Sequence, residues 1–174
     1  QKFLIIKLSS IGDIVHALPF LRTLRAHHPN AHIAWIVEES FQGLIDCNSD
    51  LDEVIPVRIK NWRKNWNINS WRGISKTRQL LKDREFDWTF DLQGLIKSGI
   101  IARVTGAPNR AGFHRDNCRE KINAWFNNRR SRYVPIGGHV VDLCLSQLSV
   151  LGNFSSRVEF PLLIPAEDAR LSET

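Results

Sequence analysis

Methionine is absent from the 174 residues, and no mechanism attaches to that. Other absences exclude more. No apolar run approaches the ~20 residues a membrane-spanning helix needs. The chain begins at Gln1, on the threshold of its first strand, with no signal peptide in front, so a cytoplasmic protein is expected. Cys47, Cys118 and Cys144 are odd in number and far apart. With no CxxC and no Cys/His ligand spacing, reduced thiols are expected and a structural zinc is not. There is no GxGxxG and no P-loop, so nothing marks a nucleotide at the first turn. Signatures of the common nucleic-acid folds, internal repeats and low-complexity tracts are also missing.

What is present is ordinary in bulk and uneven in charge. A 43% hydrophobic and 24% charged composition suits one compact soluble domain. The net charge is +6. Residues 38–53 carry six acids and no Lys or Arg, residues 58–84 carry nine basic residues against one acid, and residues 103–132 carry eight against two. Two focused basic stretches point to an anionic partner.

Residues 3–7 read as a buried strand, Ser9-Ser10-Ile11-Gly12 as a short turn, and Asp13 as the opening of a helix with Ile14, Leu18, Leu21 and Leu24 on one face. Further strands are expected at 32–37, 53–57, 86–92 and 109–113. Helices are expected at 40–47 with Ser40 as cap, and at 74–84, 95–104 and 139–151. Residues 58–72 read as a long loop or broken helix, and 115–127 as helical or irregular. Alternation of strand and helix implies an α/β fold with a parallel sheet and right-handed crossovers. Residues 1–152 form the expected domain, and 153–174 read as the start of a linker.

Ligands of such sheets sit at the carboxyl ends of the strands, where the 9–12 turn falls. Asp13 is therefore either a first-turn carboxylate favoured by the helix dipole or a general base facing a crevice. Ser9, Ser10 and the amides around Gly12 could hold an anion or a hydroxyl. Asp91-Leu92-Gln93-Gly94 repeats the strand-end turn. Lys97, one turn into the next helix, projects to the same crevice or to water. Lys60-Asn61-Trp62-Arg63-Lys64-Asn65-Trp66 interleaves cations with rings, either to grip phosphates or as a solvated loop anchored by Trp. Arg115, Arg119 and Lys121 form a further basic group.

Lys7 to Pro19, Trp35 to Phe41, Trp62 to Trp66 and Asp91 to Ser98 together resemble the lipopolysaccharide heptosyltransferases of glycosyltransferase family 9. The resemblance runs from residue 2 to about residue 164. It is strongest to the members that add the first heptose, with those that add the second as the nearest alternative. It implies a Rossmann-like parallel sheet with helices on both faces, as the N-terminal, acceptor-binding half of a GT-B glycosyltransferase. The donor-binding C-terminal domain would lie outside this chain. The implied reaction moves heptose from ADP-L-glycero-D-manno-heptose to the first Kdo of Kdo2-lipid A, with inversion and without an active-site metal or other cofactor. The resemblance makes Asp13 the catalytic base. It assigns acceptor contacts to Lys60, Arg63, Lys64, Gln93 and Arg119. Lys60 stands where relatives often have Arg, and it lacks the bidentate fork. The implied setting is the cytoplasmic face of the inner membrane of a Gram-negative bacterium, with the protein peripheral to an anionic lipid surface. From other classes, a basic nucleic-acid-binding module and a non-catalytic sugar-binding domain remain as alternatives, although no nucleic-acid partner is expected.

Overall fold

The computed structural model describes residues 1–58, 77–152, 154 and 158–161. Its strands are β1 (Lys2–Ile6), β2 (His32–Glu38), β3 (Glu53–Val57), β4 (Trp88–Asp91), β5 (Asn109–Gly112) and β6 (Arg129–Arg130). Its helices are α1 (Ile11–Val15), α2 (Leu18–His27), α3 (residues 77–82), α4 (Ile96–Val104) and α5 (Val140–Ser146).

The six strands form one sheet in the order β3-β2-β1-β4-β5-β6, and every pair is parallel. This is the doubly wound order, in which the direction of winding reverses between β1 and β4. β1 is buried on both sides, which is why it reads as an unbroken apolar run. Phe3 and Ile5 join one core layer with Leu18, Phe20 and Leu21 of α2 and Cys144 of α5. Leu4 and Ile6 join a second layer with Leu81 of α3 and Ile101 and Ala102 of α4. The expected parallel sheet with helices on both faces is present.

Three local expectations need correction, and one strand was not foreseen. The helix expected from Asp13 to Leu24 is two helices, because Pro19 has no N–H to donate back to Val15; it sits instead in the first turn of α2. α1 begins at Ile11, so Gly12 lies inside a helical turn rather than in a loop before it. The segment at 40–47 is a 3-10 helix, Glu39–Leu44, entered from Glu38 with no side-chain cap, so Ser40 does not cap it. The basic run at 129–132 supplies an edge strand, β6, that no apolar pattern marks. Residues 58–72 fall almost wholly outside the described residues. Among those described, no helix is long and apolar enough to cross a membrane.

Candidate functional site

Ile6 and Asp91 are paired at the carboxyl ends of β1 and β4, so the two turns that follow open side by side at the switch point. Two side chains join them. Gln93 Oε1 accepts hydrogen bonds from the Leu8 N–H at 3.0 Å and the Ser9 N–H at 3.4 Å. Lys7 Nζ donates to the Leu92 carbonyl at 2.6 Å. The first turn thus rests on the second.

The second turn is built by a buried carboxylate. Asp91 Oδ1 accepts from the Gln93 and Gly94 N–H groups at 3.0 and 3.1 Å. Its Oδ2 accepts from Asn123 Nδ2 at 2.5 Å. Burial pushes the Asp91 carboxyl above its ordinary range, and the bonds from Asn123, Ser98, Gln93 and Gly94 pull the other way. Gly94 has φ +69°, and a Cβ there would lie 3.1 Å from the Phe113 ring and 3.4 Å from the Arg119 nitrogen. Both its conformation and its neighbours call for glycine.

Asp13 stands at the mouth of the crevice, third residue of α1. Its Oδ2 accepts from the Ser10 N–H at 3.4 Å, and its Oδ1 accepts from Arg119 Nη2 at 2.9 Å. The Asp13 side chain is 14% exposed and that of Arg119 is 55% exposed. Asp13 therefore sits on the rim, held from one side by the start of its own helix and from the other by the half-exposed Arg119 guanidinium.

The structure brings together Ser9, Ser10, Gly12, Asp13, Gln93, Gly94 and Arg119 around this crevice. Ser10 and Gly12 are exposed and Ser9 is half-buried. Gln93 is buried, with its Oε1 already engaged by the backbone of the first turn. Lys97 is half-buried in the first turn of α4, without a hydrogen bond or ion pair among the described residues. Lys60, Arg63 and Lys64 lie outside the described residues.

Sequence reasoning missed two residues. Lys7 is 3% exposed, and burial lowers its ammonium below the usual lysine value, against the pull of Asp13 and Asp91. The available signal was a lone Lys inside the apolar run Ile5-Ile6-Lys7-Leu8. Asn123 is fully buried and also donates to the Leu95 carbonyl at 2.7 Å; nothing in its local sequence marks it. The cysteines are all free. Burial raises the thiols of Cys118 and Cys144 to about 11, so both stay protonated at neutral pH.

Residues 74–169 match the family model for glycosyltransferase family 9 (heptosyltransferase). Lipopolysaccharide heptosyltransferase 1 of Pseudomonas aeruginosa is 37% identical over 146 residues, which cover 82% of this chain and 40% of that protein. The enzyme of the same name from Escherichia coli K12 is 32% identical over 143 residues, 82% of this chain and 44% of that one. Among solved structures, E. coli heptosyltransferase WaaC with ADP-2-deoxy-2-fluoro heptose superposes with a TM-score of 0.80 at 29% identity, covering 92% of this chain and 51% of that chain. The present chain therefore spans less than half the length of these curated relatives and about half of that structure. Fold, motifs and relatives agree: the chain belongs to glycosyltransferase family 9, the heptosyltransferases.

Proposed function

We propose that this chain is the acceptor-binding half of an inverting heptosyltransferase. In this reading the whole enzyme moves heptose from ADP-L-glycero-D-manno-heptose to the first Kdo of Kdo2-lipid A. Residues 1–152 form the acceptor domain, 153–174 lead towards a second domain, and that domain holds most of the donor. The observation that carries the reading is Asp13 at the switch-point crevice, ion-paired to Arg119 and adjoining the Gln93 turn.

Asp13 takes the proton from the acceptor hydroxyl as its oxygen attacks the anomeric carbon from the face opposite the diphosphate. The bond to the diphosphate breaks, ADP leaves with the electron pair, and the anomeric centre inverts. The leaving charge is stabilised by the donor half, with no metal or other cofactor in the step. Arg119 has a second use, because its half-exposed guanidinium can turn from Asp13 to the Kdo carboxylate. Ser9, Ser10, Gly12, Gly94 and Lys97 line the acceptor's approach. Lys60, Arg63 and Lys64 meet its anionic groups. The acceptor lies in a bilayer, so the enzyme works at the cytoplasmic membrane face, peripheral to an anionic surface.

The test joins this chain to its downstream half and assays transfer from ADP-heptose. Asp13→Asn is expected to lower kcat by roughly 10²–10⁴-fold while leaving the melting temperature near that of the parent. Undiminished turnover would remove Asp13 as base. A Kdo-terminated acceptor should be used in preference to a heptose-terminated one; the reverse preference would assign the second transfer instead of the first.

A further inference from the structure

The segment after Arg119 is a 3-10 turn, Lys121–Trp125. Asn123 and Ala124 face inward and are buried. Ile122 and Trp125 face out, 49% and 76% exposed. Side chains three apart eclipse on a 3-10 turn, so these two stand as one apolar ridge. Trp is large enough that leaving most of it in water calls for an explanation.

The ridge is set among cations. Lys121 is exposed beside it. Of the two exposed arginines on the edge strand β6, Arg129 turns to the opposite side and donates to Asn109 Oδ1 at 3.4 Å, while Arg130 turns to the ridge. Arg130 Nη2 donates to the Ala124 carbonyl at 3.2 Å, which lays that guanidinium against the turn itself. Among the described residues none of the three has an acidic partner. The neighbouring Glu120 is occupied, its Oε2 accepting from the Ile96 N–H at the start of α4 at 2.5 Å.

We propose that Ile122 and Trp125, flanked by Lys121 and Arg130, form the surface by which this domain docks on an anionic lipid bilayer. An anionic bilayer offers phosphates to the cations and an acyl boundary to the ridge at the same depth, the setting in which Trp and basic residues concentrate. A second copy of the chain docked symmetrically would set these like charges against their equivalents, which costs several-fold in affinity or more. The docking rests on the membrane part of the proposed function and not on heptose transfer. It lies on a different segment from the Trp-rich stretch that the sequence singles out.

The experiment is co-sedimentation of the full 174-residue chain with phosphatidylcholine vesicles, with and without phosphatidylglycerol. The parent is expected to bind the anionic vesicles and to release as salt rises. Ile122→Ser combined with Trp125→Ser should weaken binding roughly tenfold or more, and Lys121→Glu roughly fivefold or more. Both variants should melt with the parent, since all three side chains are exposed. Failure of the parent to bind anionic vesicles would overturn the membrane reading and this surface together. Equal binding by parent and variants would overturn the surface alone. A parent dimer in solution that becomes monomeric in the Ser variants would also overturn it, as a contact between copies.

Discussion

Lys7 and Asp91 are buried charges at the ends of adjacent strands, each shifted by burial towards its neutral form. They are not paired with each other: Lys7 donates to the Leu92 carbonyl and Asp91 accepts from Asn123 and the amides of its own turn, so removing either leaves buried polar groups unpaired. Asp91→Asn would turn an amide donor towards Asn123 Nδ2, itself a donor at 2.5 Å from the lost oxygen. The expected loss is about 2–3 kcal/mol, read as a lower urea midpoint with unchanged m. Arg119→Ala is predicted to behave differently. Its ion pair with Asp13 is more than half exposed on the Arg side, so stability should change by under about 1 kcal/mol. In the joined enzyme the acceptor KM should rise, which separates a binding role from a structural one. Glu53 gives a pH prediction. Arg84 Nε lies 2.9 Å from Glu53 Oε1, and that bond holds the Glu53 carboxyl below its usual value. The folded state therefore binds fewer protons than the unfolded one below about pH 4.3. The stability this pair contributes is present above that pH and disappears as pH falls through the lowered folded value. Urea titrations between pH 5 and 3 should show Glu53→Gln losing less stability on acidification than the parent.

The elements differ in how much of themselves they reveal. β1 and β2 were legible because a strand buried on both faces is an apolar run. The crevice was legible because both of its turns carry small residues at strand ends. α1 and α2 were misread as one helix because the apolar spacing continues through Pro19; the spacing reports the buried face, not the hydrogen bonds. β6 was illegible, since a two-residue edge strand made of Arg129 and Arg130 has no apolar side to mark it. Lys7 and Asn123 were missed because their roles are tertiary, each reaching a partner far along the chain. Asn123 gives the prediction at this scale. It fastens the Lys121–Trp125 turn to the Gln93 turn through Asp91 Oδ2 and the Leu95 carbonyl. Asn123→Ala should cost about 2 kcal/mol, since buried acceptors are left unpaired. It should also loosen the segment that holds Arg119 against Asp13, so in the joined enzyme kcat/KM should fall while Arg119 itself is intact.

Across the whole molecule, charge and chain length decide what this chain can do by itself. Its acids and bases are segregated along the sequence, with a net +6, and the candidate base sits on a crevice edge beside an exposed Arg. A field of that sign would attract the carboxylated and phosphorylated acceptor of the proposed reading over distances of about a Debye length, ~10 Å at 0.1 M salt. Binding of a soluble Kdo disaccharide should therefore be measurable by calorimetry at low salt and should weaken as salt is raised. Transfer is a different matter. Stabilising the departing diphosphate requires groups aimed at it, and the proposed reading assigns those to the half of the relatives' length that this chain does not span. Supplied with ADP-heptose and a Kdo-terminated acceptor, the chain is expected to form no product above background, and activity should return when the downstream half is joined. Product formed by the chain alone, abolished by Asp13→Asn, would mean that the donor site is already complete within these residues.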